Sequence, residues 1–378
     1  MVAQCRPLIE VLEEVPDPRR ARGKRYPLAA VLALICAATL CGYRSYSAVA
    51  QWARVYPPEL GRALGLTRSP GPCAATLCTL LRRIDRARLE AVLGAWAEGV
   101  VASLPAGPVE EEVIALDGKT LRGSRRQGAP EVHLLSALSH RLGLTLGQRA
   151  VGDKTNEITA VVPLLRGLLL EGRVVTVDAL LTQRTVAQTI VDGGGDYVMV
   201  VKENQPQLRQ DIELVFTDPP LGDDPRSAQS TDSGHGRIEW RRLTASQALV
   251  GYSDWPGLQQ VFRLERRTIT KTTGEIRAET VYGVTSLERT RADADRLLWI
   301  ARYHWHSENR SHWVRDVTFD EDRSQVRCGA TPQVMAALRS TAIGLLRLHG
   351  APNLAAAGRR FAAQPRAALA LLGITSDF

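Results

Sequence analysis

Two short apolar segments, each ending in an aspartate, constrain the fold of this chain more than any other feature. One runs from Val113 to Asp117 and is followed by a glycine and a basic cluster, and the other runs from Val174 to Asp178. Uninterrupted apolar runs of this length are typical of strands buried in a sheet. Each strand would deliver one carboxylate, and in a basic chain such a pair indicates a metal site for phosphodiester chemistry.

Composition is compatible with that interpretation. The chain has 378 residues, enough for two or three domains with a large core. Lys and Arg total 48 against 40 Asp and Glu, and the formal net charge of +8 favours a polyanionic partner. Many basic proteins bind no nucleic acid, so the charge alone does not decide the matter.

The cysteines and the most apolar segment indicate a cytoplasmic protein. The six cysteines form neither a CxxC pair nor a Cys/His zinc-finger spacing, and we expect them to be reduced packing residues. The apolar run 28–41 is shorter than the roughly 18 to 20 residues that span a bilayer, so we interpret it as a buried helix. The start of the chain does not resemble a signal peptide. We therefore expect no membrane partner.

The apolar pattern divides the chain into five parts. We predict a helical N-terminal domain at 1–105, the first part of a core at 106–216, a β-rich insertion at 217–286, the last part of the core at 287–350 and a peripheral tail at 351–378. The N-terminal part is either a packing domain or a module that binds DNA ends. The second alternative depends on a basic loop that contains Arg19, Arg20, Arg22, Lys24 and Arg25.

The core has an informative order of elements. Three predicted strands are followed by alternating helices and strands, in the order β-β-β-α-β-α-β-α. This is the plan of an α/β fold with a ribonuclease H-like core. Asp117 would lie on the first strand and Asp178 at the end of the fourth. Those two strands are neighbours in that topology, so the two carboxylates can meet.

A two-metal site requires a third carboxylate, and Glu308 is the strongest candidate. His304 and His312 lie four residues before and after it, so a helix would present all three side chains on one face. Competing candidates follow in an acidic cluster of Asp316, Asp320, Glu321 and Asp322.

Several motifs occur in order along the chain. They are ALDGKTLRGS at 115–124, KTNEI at 154–158, TVDA at 176–179, DY at 196–197, VKENQ at 201–205, GHGRIE at 234–239, HWHSEN at 304–309, HWVRDV at 312–317 and FDED at 319–322. In this ordered set, which runs from about residue 5 to 350, the chain resembles the H-repeat-associated insertion-sequence transposases, a bacterial branch of the DDE transposases.

The resemblance implies an acidic triad of Asp117, Asp178 and Glu308 that binds two Mg²⁺ ions per site, with Mn²⁺ as a possible substitute. It implies DNA as partner, both terminal inverted repeats and target DNA, a homodimer on DNA, and a bacterial, nucleoid-associated location. The expected activity is cleavage at element ends and joining of 3′-hydroxyls to target DNA. Two alternatives remain, namely a domesticated DNA-binding or recombination protein and a metal-dependent nuclease without strand transfer.

Basic residues near the triad are predicted to contact DNA phosphates, although a solvated rim explains several of them equally well. Relatives often carry Tyr, Arg and Lys around the catalytic Glu, whereas this chain has histidines and an arginine there, and Ser307 stands where an aliphatic residue is common. The predicted contacts outside the N-terminal loop are Lys119, Arg122, Lys202, His304, His312 and Arg315.

Overall fold

The computed structural model describes residues 6–56, 58–103, 112–125, 131–151, 157–234, 236–307 and 312–375, with the backbone alone at 305–307. The described residues form two compact units. The first unit is built from segments within 6–103, 118–151 and 312–375, and the second from 112–117 and 157–307.

The first unit is mainly helical. Its N-terminal helices are α1 (Leu8–Leu12), α2 (Leu28–Leu40), α3 (Tyr46–Val55), α4 (Pro58–Ala63), α5 (Ala74–Leu81) and α6 (Arg86–Ser103). Nearly every residue of α2 is buried, as expected of a helix that is apolar on all sides. The predicted buried helix at 28–41 is therefore confirmed. Gly42, at φ +83°, ends α2 in a conformation that favours glycine.

One helical segment of the described chain, Ala21–Leu40, is long and apolar enough to cross a membrane by length and composition alone. About 72% of its most apolar stretch is buried, and a buried core helix passes the same test.

The first unit also contains a β-hairpin of β2 (Val132–Ser139) and β3 (Thr145–Val151). Here β2 lies beside the last residues of strand β1 (Val113–Leu121), where Leu121 and Leu134 pack in one buried cluster.

The C-terminal residues form α11 (Thr331–Leu348), α12 (Leu354–Ala363) and α13 (Pro365–Leu371). The tail predicted to be peripheral is not peripheral, because Phe361 and Leu372 are buried. The thiol of Cys41 donates to the carbonyl of Phe361, and the N–H of Ile9 donates to that of Leu372. The tail therefore closes the core around α2.

The second unit is organised around a mixed sheet. Its strands run in the order β1-β4-β5-β9-β8-β7-β6. They are β4 (Val174–Val177), β5 (Asp196–Val201), β6 (Arg226–Gly234), β7 (Arg237–Ser246), β8 (Gln260–Thr270) and β9 (Ile276–Thr285). β1, β4 and β5 pair in parallel, while β5 to β9 and the remaining pairs are antiparallel.

The helices of this unit are α7 (Glu157–Leu165), α8 (Arg184–Asp192), α9 (Pro206–Thr217) and α10 (Ala294–Ser307). Leu297 and Ile300 of α10 pack with Phe262 and Leu264 of β8 in the core of the unit. The sequence predicted a loop at 218–225 and strands at 236–243, 259–269 and 279–286. The structure adds β6, a polar and largely exposed edge strand with too few apolar residues to be recognised from the sequence.

Candidate functional site

Asp117 and Asp178 occupy neighbouring positions on parallel strands. In the register of β1 and β4, Leu116 pairs with Val177, and each aspartate is the next residue of its chain. Adjacent parallel strands lie about 4.8 Å apart, so consecutive partners along the register stay side by side. The pairing with β4 ends at this point while β1 continues to Leu121. Asp178 therefore directly follows the end of β4, and Asp117 lies where β1 stops pairing with β4.

The carboxyl group of Asp178 is held in a partly desolvated corner, although the residue as a whole remains exposed. Burial raises the pKa of Asp178. The N–H of Leu181 donates to Oδ1 of Asp178 at 3.1 Å and lowers this pKa. The charge of Glu157 raises it. The ammonium group of Lys202 lowers it. Burial and the Leu181 N–H thus affect the pKa of Asp178 more than the charges of Glu157 and Lys202 do.

Side chains of the VKENQ motif at 201–205 hold the loop that follows Asp178 through hydrogen bonds. Asn204 donates from Nδ2 to the carbonyls of Ala179 at 2.6 Å and Thr182 at 3.1 Å, and Gln205 donates from Nε2 to the Thr182 carbonyl at 3.1 Å. Thr182 in turn donates to the carbonyls of Asp178 and Val200. The amides of this motif hold the backbone beside Asp178.

His304 faces the sheet. A hydrogen bond of 2.8 Å joins its Nδ1 to Oγ1 of Thr176, which lies two residues before Asp178 on β4. Burial, with a contribution from Arg266, lowers the pKa of His304 to about 4, so the imidazole is neutral at pH 7. A neutral, hydrogen-bonded histidine carries no positive charge for the predicted contact with a DNA phosphate. Glu308, four residues further on, lies outside the described residues.

Lys119 and Arg315 are both buried and engaged in ion pairs of the first unit, although the Asp316 partner of Lys119 is partly exposed. Lys119 is 6% exposed, and its Nζ lies 2.6 Å from both carboxylate oxygens of Asp316. Arg315 is 2% exposed and donates from Nε to Glu321 at 2.7 Å. These positions correct the prediction that both side chains are available to DNA. Asp316 and Glu321 are therefore paired with cationic side chains and do not form part of a metal site.

Glu321 is the centre of a buried triad with Arg315 and Arg339. Burial alone would raise its pKa, but the two guanidinium groups hold the pKa of Glu321 down to about 2. Burial also lowers the pKa of His312 to about 3, with Lys119 adding to the shift, so His312 is neutral as well. Arg122 remains largely exposed, 3.8 Å from Asp322.

The N-terminal basic loop divides into one structural arginine and four exposed cations. Arg19 binds both carboxylate oxygens of Asp17 and the carbonyl of Tyr26, and so ties the loop together. The exposed side chains that remain are Arg20, Arg22, Lys24 and Arg25.

Sequence reasoning missed Glu157 as a site residue. It is 6% exposed, in the first turn of α7, and its charge acts on Asp178. Glu157 belongs to the KTNEI motif, and its position as a carboxylate at the start of an apolar helix could have identified it from the sequence.

Oxygen donors suit Mg²⁺ better than they suit softer metals. Asp117 and Asp178 fit that requirement by donor type and by position. Among the residues that the structure describes, no group of three or more His, Cys, Asp or Glu side chains could hold a metal ion.

Comparison with known proteins identifies the family. The "Transposase DDE domain" matches residues 108–345, and a second family described as "DDE_Tnp_1-associated" matches residues 9–97. YbfL of Escherichia coli (strain K12) is 29% identical over 354 residues and covers 91% of each chain. YhhI of the same strain, which carries the name of an H repeat-associated transposase, is 28% identical with the same coverage.

A protein from the dhlA 3′ region of Xanthobacter autotrophicus is 35% identical over 273 residues, 71% of this chain and 90% of its own length. Among solved structures, the match to the piggyBac transposase synaptic complex with hairpin DNA covers 96% of this chain and 76% of that chain, at 10% identity and a TM-score of 0.39, which is too low to establish a shared fold. The match to the DDE domain spans more than half of the chain, and the chain therefore belongs to the DDE transposase family, among relatives that include H repeat-associated members.

Proposed function

We propose that this protein is a DNA transposase that cleaves the ends of an insertion sequence and joins the resulting 3′-hydroxyls to target DNA. The observation that carries the proposal is that Asp117 and Asp178 directly follow Leu116 and Val177, the last paired residues of two neighbouring parallel strands. Membership in the DDE transposase family supports it.

The strand arrangement supports a ribonuclease H-like core. Strand β2 lies beside β1 on one side, and β4 and β5 follow in parallel on the other, each after a helix. The meander of β6 to β9 is inserted before α10, in the interval that separates Asp178 from Glu308.

We assign metal binding to Asp117, Asp178 and Glu308. Two Mg²⁺ ions, for which Mn²⁺ can substitute, would activate a water or a 3′-hydroxyl and stabilise the leaving oxygen. The protein fixes the strand ends through the Leu116–Val177 register and fixes the loop after Asp178 through Asn204 and Gln205. No external energy source is needed, because cleavage is a hydrolysis and strand joining exchanges one phosphodiester bond for another.

Exposed cations supply phosphate contacts in this proposal. Lys202 is exposed and acts on Asp178, so it lies near the reacting group, and Arg122 is largely exposed. Four exposed cations of the N-terminal loop add to this set. Such contacts strengthen binding and set register without selecting a sequence. Because two DNA ends must be joined, we propose that a homodimer assembles on DNA in the bacterial cytoplasm, at the nucleoid.

The proposal is tested by incubating the purified protein with Mg²⁺ and DNA that carries the terminal inverted repeats of its own element, then mapping the products. Strand-transfer products are the expected result. Cleavage without joining would indicate a metal-dependent nuclease, and specific binding without cleavage would indicate a domesticated DNA-binding protein.

Replacing Mg²⁺ by Ca²⁺ should preserve DNA binding and suppress cleavage. Ca²⁺ takes more oxygen ligands at longer distances, so carboxylates can bind it without reaching the octahedral geometry that Mg²⁺ demands. Gel-shift and cleavage assays on one DNA substrate measure both properties. Full cleavage in the presence of excess chelator would contradict the assignment of metal ligands.

A separate prediction concerns DNA binding by the exposed cations of the N-terminal basic loop. Changing Arg20, Arg22 and Lys24 together to Gln should weaken DNA binding and reduce the slope of log K against log salt by about 2 to 3, because each phosphate contact contributes roughly 0.9. Fluorescence anisotropy at several salt concentrations measures the slope.

The matched control for this triple variant changes three exposed arginines that already have acidic partners. These are Arg62, Arg226 and Arg277, which pair with Glu59, Asp224 and Glu275. An equal loss of slope in both triple variants would show that net charge, and not the loop, determines the affinity.

A further inference from the structure

We propose that Thr182 is a positioning residue for the Asp178 carboxylate, because its hydroxyl ties the turn that holds this carboxylate to the end of β5. The inference rests on the proposed function, in which Asp178 is a metal ligand. Thr182 lies in none of the sequence motifs that carry the family resemblance, so its role follows from its contacts alone.

The turn after β4 holds the Asp178 carboxylate through its own backbone. The N–H of Leu181 donates to Oδ1 of Asp178 at 3.1 Å, and the N–H of Thr182 donates to the carbonyl of Ala179 at 3.2 Å. Strand β4 ends at Val177, so Asp178 lies beyond the last residue of β4 that pairs with β5. The direction of the carboxylate therefore depends on where this turn lies.

The hydroxyl of Thr182 is a buried connection between this turn and β5. The residue is 0% exposed, and its Oγ1 lies 2.6 Å from the carbonyl oxygen of Val200 and 3.0 Å from that of Asp178. A hydroxyl has one proton to donate, so the shorter contact with Val200 is the main hydrogen bond and the Asp178 carbonyl shares it. One side-chain oxygen therefore joins the end of β5 to the backbone of the aspartate itself.

Other contacts hold the same turn with less control of its orientation. Asn204 and Gln205 each donate to the Thr182 carbonyl at 3.1 Å, but Asn204 is exposed and Gln205 is half-buried, so water competes for these bonds. The side chain of Leu181 is buried, but apolar packing is non-directional. We therefore expect the buried hydroxyl to contribute most to the orientation of the turn.

The test compares Thr182→Val with Thr182→Ser in the full-length protein. Valine keeps the branched shape and removes the hydroxyl, whereas serine keeps the hydroxyl. If the hydroxyl positions the carboxylate, Thr182→Val should raise the half-saturating concentration of Mn²⁺, measured calorimetrically without DNA, by roughly ten- to a hundred-fold, the usual cost of losing a partner that orients a metal ligand. Thr182→Ser should remain within a few-fold of the wild type.

Amide hydrogen exchange in the absence of metal is a second readout. Loss of the hydroxyl should free the N–H of Leu181 from Asp178 and accelerate exchange in the segment 179–183, while helix α8 keeps the wild-type rate. Acceleration confined to this segment of Thr182→Val, with recovery in Thr182→Ser, supports the inference. Unchanged exchange there would overturn it, because the turn would then be held without the hydroxyl.

The matched control is Thr285→Val. Thr285 is as buried as Thr182, and its hydroxyl donates to the Tyr197 carbonyl at 2.6 Å, at the opposite end of β5. The substitution removes the same kind of hydrogen bond from the same unit, so Mn²⁺ affinity should stay at the wild-type value even if thermal stability falls. An equal loss of Mn²⁺ affinity in both valine variants would show a general loosening of the unit and overturn the inference.

Thermal unfolding checks that the variants are folded. If Thr182→Val is unfolded, Thr182→Cys decides, because a thiol has a similar size and is only a weak donor. Weakened Mn²⁺ binding in the folded variant supports positioning, and wild-type binding overturns it. Mn²⁺ binding that is equally tight in Asp178→Asn and the wild type would overturn the proposed metal site as well, whereas a loss in Asp178→Asn alone would overturn only the role of Thr182.

Discussion

Asp117→Asn or Asp178→Asn should reduce DNA cleavage by about 10³-fold or more while leaving DNA affinity largely unchanged. Stabilisation of charge by a metal amounts to several kcal/mol, and about 1.4 kcal/mol corresponds to a factor of ten in rate. Asparagine keeps the size of the side chain but removes the charge that metal binding requires. Single-turnover cleavage of end-bearing DNA measures the loss.

The control for these variants is Asp254→Asn. Asp254 is an exposed aspartate of the same unit that pairs with Arg184 at 2.8 Å, so its substitution should leave cleavage within a few-fold of wild type. Normal cleavage by either Asp117→Asn or Asp178→Asn would remove that residue from the site. Glu308→Gln should match the two aspartate variants, and an active Glu308→Gln protein would mean that another acid completes the site.

Glu321→Ala should destabilise the fold by about 3–5 kcal/mol. The substitution leaves Arg315 and Arg339, which are 2% and 3% exposed, without their shared carboxylate, and unpaired buried charges have this cost. Chemical denaturation of the wild type and the variant measures the difference. The control is Asp224→Ala, which removes the exposed partner of Arg226 and should change the free energy of unfolding by less than about 1 kcal/mol.

The triad of Glu321, Arg315 and Arg339 should also determine how the stability of the fold depends on pH in acid. The pKa of Glu321 is lowered to about 2 in the folded protein, so its contribution is fully present above the ordinary pKa of a glutamate and is lost as the pH falls through about 2. Below pH 4 the wild type should therefore lose stability more steeply than Glu321→Ala. Parallel acid-unfolding curves would show that the triad contributes no stability through this ionisation.

The sequence was most informative where a pattern is local. The runs that end at Asp117 and Asp178 are buried on both faces of a parallel sheet, and such strands show as continuous apolar segments. The helix α2 was recognised for a similar reason. Strand β6 was missed because an exposed edge strand need not carry an apolar pattern.

Contacts between distant residues account for the errors at the site. Lys119 and Asp316 are 197 positions apart, and the composition around Lys119 is that of a phosphate-binding loop. Arg315 was assigned to DNA by its distance from Glu308, whereas its partner lies six residues away at Glu321. The spacing of charges does not reveal whether a side chain is buried, so the sequence identified these residues but not their partners.

The helices α12 and α13, which complete the core around α2, have a consequence for synthesis of the protein on the ribosome. These two core partners of α2 emerge from the ribosome only after the entire second unit has been translated. The surface of α2 that they cover must therefore remain exposed or be held by chaperones for most of translation. We expect the N-terminal region to become fully protease-resistant only after α12 and α13 have been translated.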